Sequence, residues 1–260
     1  MRRLIAFSCE KETLIGSLDE GSGTTGLLIV SGGNEIRIGA HRGMALLAAR
    51  LAAGNIPVFR FDRRGIGEST GANAGYGGSA PDIAAAAAAF RAAAPHVARL
   101  VGFGNCDAAT ALALFHHDAG IDALVLANPW VGDEPDALPP AAAIRARYVR
   151  RLGDPRQWLR LISGAIDIGK LAKGLRKVVV TRREVTNLVA GRMAGTIATT
   201  PCTILLASGD NGAMRFAQAW RGVGPIERRD SDSHSFARPG DGDWLTEKIK
   251  RAISMENIAH

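Results

Sequence analysis

Cys106 is the residue of this sequence whose type and position most clearly suggest chemistry. It lies in Gly104-Asn105-Cys106-Asp107-Ala108, directly after a strand-type apolar run and directly before a helix-type run. A nucleophile on such a sharp strand-to-helix turn projects above the sheet, and small residues two positions before and after it let the tight backbone fit. The N-terminus of the following helix favours the thiolate, which is the attacking form. The segment therefore predicts a nucleophilic cysteine, and a buried core cysteine just past a strand is the alternative.

The other two cysteines, Cys9 and Cys202, lie in apolar, strand-like contexts and are predicted to be small buried hydrophobic residues. Three widely spaced cysteines match neither a disulfide framework nor a paired metal-ligand motif. We therefore expect reduced thiols and a cytoplasmic location, with no metal and no cofactor.

The segment around Cys106 resembles the nucleophile elbow of the α/β-hydrolase fold family, Gly-x-nucleophile-x-Gly, with Ala108 in place of the second glycine. Dienelactone-hydrolase-like members of that family use cysteine at this point. In the family the acid follows a later strand and the histidine comes last. Asp210 ends the apolar run that begins at Leu205, and His234 lies ahead of the final helix-type run. The resemblance therefore implies a Cys106-His234-Asp210 triad.

In this interpretation His234 takes the thiol proton, and Asp210 fixes the imidazole tautomer and stabilises its positive form. Three aspartates are rival acids: Asp133, Asp230 and Asp232. The remaining histidines have no comparable context and are expected to be surface or structural residues: His41, His96, His116, His117 and His260.

An early loop offers backbone N–H groups for an oxyanion. Ser31-Gly32-Gly33-Asn34 follows an early strand, where the family draws one donor of its oxyanion hole. The resemblance implies the N–H of Gly33 or of Asn34 as one donor and the N–H of Asp107 as the other. Which of the two loop groups contributes stays open, and a Gly-Gly pair by itself is equally typical of a simple turn.

A second loop, residues 62–69, resembles the Asp-x-Arg-Gly-x-Gly-x-Ser loop that is common in the same family, and we interpret it as structural. It lacks the Lys-Ser/Thr ending of a phosphate-binding loop and the Rossmann spacing, so nucleotide binding is not expected. Together, residues 31–35, 61–65 and 102–108 are similar to the hydrolases associated with the exosortase A system. Those hydrolases occur in bacterial exopolysaccharide and protein-sorting gene neighbourhoods, which implies a setting and no particular substrate.

The order of apolar runs predicts the α/β class, with a mostly parallel central sheet flanked by helices. Strands are expected at the opening of the chain, 1–7, and at 26–30, 57–62, 99–103, 121–127 and 203–207, and helices at 44–53, 83–94, 108–115 and 243–253. A capping box, Ser79 to Asp82, is expected to start the second helix. The strand–helix rhythm stops between 133 and 200, which predicts a helical basic lid or cap inserted into a core formed by 1–132 and 201–260.

Composition limits the class of protein. The chain has 260 residues, 47% of them hydrophobic, enough for one large core. No run of 18 apolar residues occurs, so no conventional transmembrane helix is expected. The formal net charge is +7, but residues 144–183 hold twelve Lys or Arg against two Asp, so the rest of the chain is slightly acidic.

These observations favour an acyl hydrolase, of the carboxylesterase or thioesterase type, that forms an acyl-cysteine intermediate on a small-molecule substrate. Two alternatives stay open: an acyltransferase that uses the same triad, and a non-catalytic binding module with this fold. The basic segment is typical of a solvated helical surface; its functional interpretations are an anionic substrate or peripheral contact with an anionic membrane. A nucleic-acid partner is not expected, because no recognised motif is present.

Overall fold

The computed structural model describes residues 1–132 and 188–254. Eight strands form one sheet: β1 (Arg2–Cys9), β2 (Glu12–Asp19), β3 (Thr25–Val30), β4 (Val58–Phe61), β5 (Arg99–Asn105), β6 (Ala123–Ala127), β7 (Cys202–Ala207) and β8 (Ile226–Arg229). The helices are α1 (Gly43–Ala53), α2 (Ala80–Ala93), α3 (Asp107–Phe115), α4 (188–196), α5 (Asn211–Ala219) and α6 (Asp241–Ser254).

The strands follow the order β1-β2-β4-β3-β5-β6-β7-β8. β2 pairs antiparallel with β1 and β4, and the six strands from β4 to β8 run parallel to one another. This confirms the predicted α/β class and its mostly parallel sheet. The carboxyl ends of β3, β5, β6 and β7 therefore meet at one edge, where ligands bind in open α/β sheets.

The two faces of the sheet are both buried, which explains the apolar character of the central strands. In β3, Leu27 and Ile29 face α1 and α6, whereas Leu28 and Val30 face the side on which α2 and α3 pack. This alternation follows from the two-residue period of side chains along a strand. β5 is buried on both faces, so the residue that directly follows it, Cys106, is held by a rigid strand.

Two strands were not predicted. β2 lacks a clear apolar pattern because Ser17 and Asp19 are polar residues that are buried. Asp19 is ion-paired with Arg60 at 3.0 Å. β8 has the sequence Ile-Glu-Arg-Arg, which contains no apolar run because the strand lies at the sheet edge and is partly exposed.

The predicted capping box was wrong. Ser79 is the N-cap of α2, but its side chain makes no cap hydrogen bond. Its hydroxyl instead accepts from Arg63 Nη1 at 2.9 Å and donates to the Gly75 carbonyl at 2.8 Å. Asp82 accepts from Arg64 Nε at 2.5 Å. Both side chains are therefore engaged by arginines of the 62–69 loop.

Residues 133–187 of the predicted lid and residues 255–260 of the predicted core lie outside the described residues, so the proposed division into core and insertion stays a prediction. The described residues of the predicted insertion include α4, where Met193 is fully buried against the core. Every helix within the described ranges is too short or too polar to span a bilayer.

Candidate active site

The backbone of Cys106 adopts the strained conformation that a nucleophile elbow requires. Cys106 caps the N-terminus of α3 with φ 62° and ψ −129°, a region that non-glycine residues rarely occupy. Its N–H donates to the Ala127 carbonyl at 3.0 Å, and its carbonyl accepts the Trp130 N–H at 3.1 Å. These bonds join the turn to the end of β6, so the neighbouring strand holds the strained residue in place.

Small neighbours make this turn sterically possible. A methyl group added at Gly104 would lie 2.7 Å from the carbonyl carbon of Ala108, closer than packed atoms approach. Ala108 itself is fully buried. Alanine therefore satisfies the requirement for a small residue two positions after Cys106, where the family's pattern has glycine.

The imidazole of His234 interacts with both of its predicted partners. Its Nδ1 lies 3.0 Å from Oδ1 of Asp210, and the Cys106 side chain is near enough to raise the pKa of His234. Asp210 is the N-cap of α5, and its second carboxylate oxygen accepts the Ala213 N–H at 2.8 Å. Both oxygens of the carboxylate are thus fixed, and 43% of the His234 side chain remains exposed to an incoming substrate.

Electrostatics in this group favour a charged pair. The hydrogen bond to Asp210, followed by the interaction with the Cys106 side chain, raises the pKa of His234 to about 10 against the effect of burial. Burial alone would raise the pKa of Asp210, but its hydrogen bonds from His234 and Ala213 lower that pKa below its ordinary value. An ionised carboxylate next to a protonated imidazole is the arrangement that a triad needs.

Two asparagines hold the backbone at His234, and the sequence did not single them out. The His234 carbonyl accepts from Asn128 Nδ2 at 2.9 Å and from Asn105 Nδ2 at 3.1 Å. Asn128 is fully buried, has φ 40°, and also accepts the Ala207 N–H at 2.8 Å. It therefore links the ends of β6 and β7 to the histidine loop. The only sequence signal was an asparagine directly after an apolar strand.

The predicted oxyanion loop lies next to the elbow. A methyl group added at Gly32 would be 3.5 Å from Cys106 Cβ and 2.6 Å from the Asn105 carbonyl oxygen. Gly33 has φ +54°, and its N–H donates to Asp107 Oδ1 at 2.5 Å. Among residues 1–132 and 188–254, no acceptor contacts the N–H of Asn34 or that of Asp107. The Gly33 N–H is therefore already engaged, which leaves the N–H groups of Asn34 and Asp107 as the candidate donors.

The rival acids that the structure describes do not contact His234. Asp232 forms a two-point pair with Arg238 at 2.8 Å for each bond, and Asp230 is exposed. Asp133 lies outside the described residues. Among the other histidines, His116 is fully buried and binds Thr200 Oγ1 at 2.8 Å, as expected of a structural residue.

The other cysteines behave as predicted. Cys9 and Cys202 are both buried. Burial, with a nearby Asp82 carboxylate, raises the pKa of Cys9 to about 11, and burial raises the pKa of Cys202 to about 12. Cys106 is partly exposed, so the structure distinguishes it from the two core thiols.

No protein-family model and no curated protein matches the chain, whereas many solved structures do. The α/β-hydrolase GrgF from Penicillium sp. sh18 has a TM-score of 0.65 at 16% identity, with 98% of each chain covered. A dienelactone hydrolase from Anabaena variabilis has a TM-score of 0.62 at 12% identity, covering 98% of this chain and 97% of its own. The chain has the α/β-hydrolase fold. XC6422 from Xanthomonas campestris, a serine hydrolase of this fold without a lid, has a TM-score of 0.59 at 14% identity, covering 98% and 94%.

The α/β-hydrolase fold accounts for the location of the site. The loop after β3, the elbow after β5, Asn128 after β6 and Asp210 after β7 all lie at the carboxyl edge of the parallel strands. In the described part of the chain, no three His, Cys, Asp or Glu side chains are grouped so that they could hold a metal ion.

Proposed function

We propose that this protein is an acyl hydrolase that cleaves esters or thioesters through an acyl-cysteine intermediate. Cys106 is the nucleophile, His234 the general base and acid, and Asp210 the residue that orients the imidazole. The observation that carries the proposal is the position of the His234 ring, which lies 3.0 Å from Asp210 and close enough to the strained elbow residue Cys106 for that side chain to raise its pKa.

In the first step the Cys106 sulfur, whose proton rests on His234, attacks the carbonyl carbon of the substrate. A C–S bond forms, and the carbonyl electron pair moves to oxygen, where backbone N–H groups stabilise the negative charge. His234 then gives its proton to the leaving alcohol or thiol as the old C–O or C–S bond breaks. The acyl group is now held on Cys106 as a thioester, and the imidazole is neutral.

In the second step the neutral His234 takes a proton from water, and the resulting hydroxide adds to the thioester carbon. When the C–S bond breaks, the carboxylic acid leaves, the sulfur is again a thiolate and His234 is again protonated. A hydroxyl or amine that reached the thioester before water would receive the acyl group by the same steps, which is the route to the alternative acyltransferase activity.

The comparisons support the proposal through the fold alone. An esterase from Pyrococcus furiosus has the same fold, with a TM-score of 0.61 at 15% identity. A non-catalytic binding module would not need an acid, a base and a nucleophile grouped at the carboxyl edge of the sheet. The resemblance to the exosortase A-associated hydrolases supports a role in exopolysaccharide or protein-sorting systems.

Charge supports an anionic acyl substrate. Residues 144–183 carry twelve Lys or Arg against two Asp in a chain of net charge +7. Such a segment attracts carboxylated, phosphorylated or CoA-linked acyl compounds over distances of about a Debye length, roughly 10 Å at 0.1 M salt. Hydrolysis of acyl-CoA is therefore expected to weaken with added salt more than hydrolysis of an uncharged ester. The same segment could instead bind an anionic membrane, and sedimentation with anionic vesicles measures that alternative.

The test compares the wild type with Cys106→Ala and Cys106→Ser on p-nitrophenyl esters and acyl-CoA thioesters of increasing chain length. We expect turnover by the wild type and none above background by Cys106→Ala. Cys202→Ala is the matched control, because Cys202 is buried and lies outside the site. An inactive wild type, or a Cys106→Ala variant as active as the wild type, would rule the proposal out.

A further inference from the structure

The side chain of Asp107, the residue after the nucleophile, is built into the oxyanion loop. Its Oδ1 accepts the Gly33 N–H at 2.5 Å, and its Oδ2 accepts from Arg63 Nη2 at 3.1 Å. The same Nη2 donates to the Gly33 carbonyl at 2.7 Å. The Asp107 carboxylate therefore binds the N–H of Gly33, and the Arg63 guanidinium binds its carbonyl.

Arg63 is itself fixed. Only 2% of its side chain is exposed, and its Nη1 donates to Ser79 Oγ at 2.9 Å. Ser79 donates onward to the Gly75 carbonyl at 2.8 Å. A guanidinium is planar and presents its donors in a rigid fork, so anchoring one nitrogen sets the direction of the other. The position of the Gly33 carbonyl is thereby tied to the start of α2.

The geometry of the peptide bond carries this constraint to the next residue. The Gly33 carbonyl and the Asn34 N–H belong to one planar trans peptide, in which they point in opposite directions. Because Arg63 holds the carbonyl, it also sets the direction of the Asn34 N–H, which has no acceptor in the described part of the chain. The Gly33 N–H is bound to Asp107 and is not available to a substrate.

Charge explains why the carboxylate is tolerated next to a site that stabilises an oxyanion. An isolated Asp107 would repel both the Cys106 thiolate and the negative oxygen of the tetrahedral intermediate. The buried Arg63 guanidinium, 3.1 Å away, neutralises it while leaving its hydrogen bond to the loop. The pair supplies geometry to the site without adding net charge.

We propose that Asp107 and Arg63 form a clamp that aims the Asn34 N–H, together with the Asp107 N–H, at the oxyanion. The inference rests on the proposed function and assigns the loop donor to Asn34 instead of Gly33. Asp107 and Arg63 are positioning residues through these contacts, and only the backbone N–H of Asp107 touches the substrate.

The test separates oxyanion stabilisation from thiol reactivity in Asp107→Ala and Asp107→Asn. Iodoacetamide alkylates Cys106 without forming an oxyanion, whereas hydrolysis of a p-nitrophenyl ester requires one. We expect kcat of Asp107→Ala to fall about 10- to 100-fold with little change in KM, somewhat less than the loss of a whole oxyanion donor. Its alkylation rate should stay close to that of the wild type. Asp107→Asn, whose amide oxygen can still accept the Gly33 N–H, should recover part of kcat.

Amide hydrogen exchange reports on the clamp without any substrate: the Gly33 amide should exchange faster in Asp107→Ala and close to the wild-type rate in Asp107→Asn. Asp243→Ala is the control, since it breaks an exposed ion pair with Arg50. The clamp proposal is wrong if kcat and the Cys106 alkylation rate of Asp107→Ala fall by the same factor. It is also wrong if the wild type is active and Asp107→Ala has the same kcat and the same Gly33 amide exchange rate. A wild type that releases no p-nitrophenol signals a different failure, that of the proposed function.

Discussion

The Nδ1 atom of His234 lies 3.0 Å from Oδ1 of Asp210, a residue 24 positions earlier in the chain. The contact joins the turn after β7 to the loop before α6. With Nδ1–H donated to the carboxylate, Nε2 is the nitrogen left for the Cys106 thiol. The carboxylate thus selects the tautomer, and it holds a proton on the ring by raising the pKa of His234 to about 10.

Replacing Asp210 by Asn is expected to lower kcat by about 10³- to 10⁴-fold, because an amide can favour the wrong imidazole tautomer and does not stabilise the imidazolium. Steady-state hydrolysis of a p-nitrophenyl ester measures the loss. Asp232→Asn is the matched control, since Asp232 pairs with Arg238 and not with His234. A larger loss in Asp232→Asn than in Asp210→Asn would transfer the acid role to Asp232.

Alkylation of Cys106 by iodoacetamide between about pH 6 and 8 is expected to be faster in the wild type than in His234→Ala. A pKa raised to about 10 keeps His234 protonated across this interval, so its positive charge favours the attacking thiolate. Replacing His234 by alanine removes that charge.

Cys9 and Cys202 are internal standards in the same experiment. Their pKa values are raised to about 11 and about 12, so both should stay unlabelled at pH 8 in the folded protein. Peptide mass spectrometry after trypsin digestion gives the label at each cysteine. Equal labelling rates of Cys106 in the wild type and in His234→Ala would support the buried-cysteine alternative.

Gly32→Ala is expected to remove most of the activity while the protein still folds. The added methyl group would lie 2.6 Å from the Asn105 carbonyl oxygen and 2.9 Å from Asp107 Oδ1, so the loop must move away from the elbow. Gly43→Ala is the control, because nothing lies within 4 Å of that position and its φ is −57°. Equal kcat values for the two variants would show that the loop takes no part in the reaction.

Asn128→Ala is expected to reduce both stability and kcat. The His234 carbonyl and the Ala207 N–H would each lose a buried partner, at a cost of about 1–3 kcal/mol per group in the free energy of unfolding. Urea denaturation measures the first effect and ester hydrolysis the second. Gln218→Ala, which removes an exposed amide from α5, is the comparison. A destabilised variant with unchanged kcat would restrict Asn128 to a structural role.

The sequence was sufficient to predict those parts of the fold and site that leave a local pattern. The central strands are apolar because both sides are buried, and the elbow is recognisable because Gly104 and Ala108 must be small. β8 left no pattern because its Ile-Glu-Arg-Arg sequence lies at a partly exposed edge. Asn128 and Arg63 were missed for another reason: their roles depend on contacts with residues 106 and 44 positions away, which a single sequence does not display.

The acyl-cysteine intermediate is the most direct test of the central claim, that Cys106 is the nucleophile. Wild type, Cys106→Ala and His234→Ala are mixed with a p-nitrophenyl ester, quenched in acid within the first turnover and analysed by intact-protein and peptide mass spectrometry. The account predicts one acyl group on the wild type, located on Cys106, none on Cys106→Ala and much slower acylation of His234→Ala. Turnover of the ester with the acyl group on another residue, or with Cys106→Ala acylated as fast as the wild type, would contradict it.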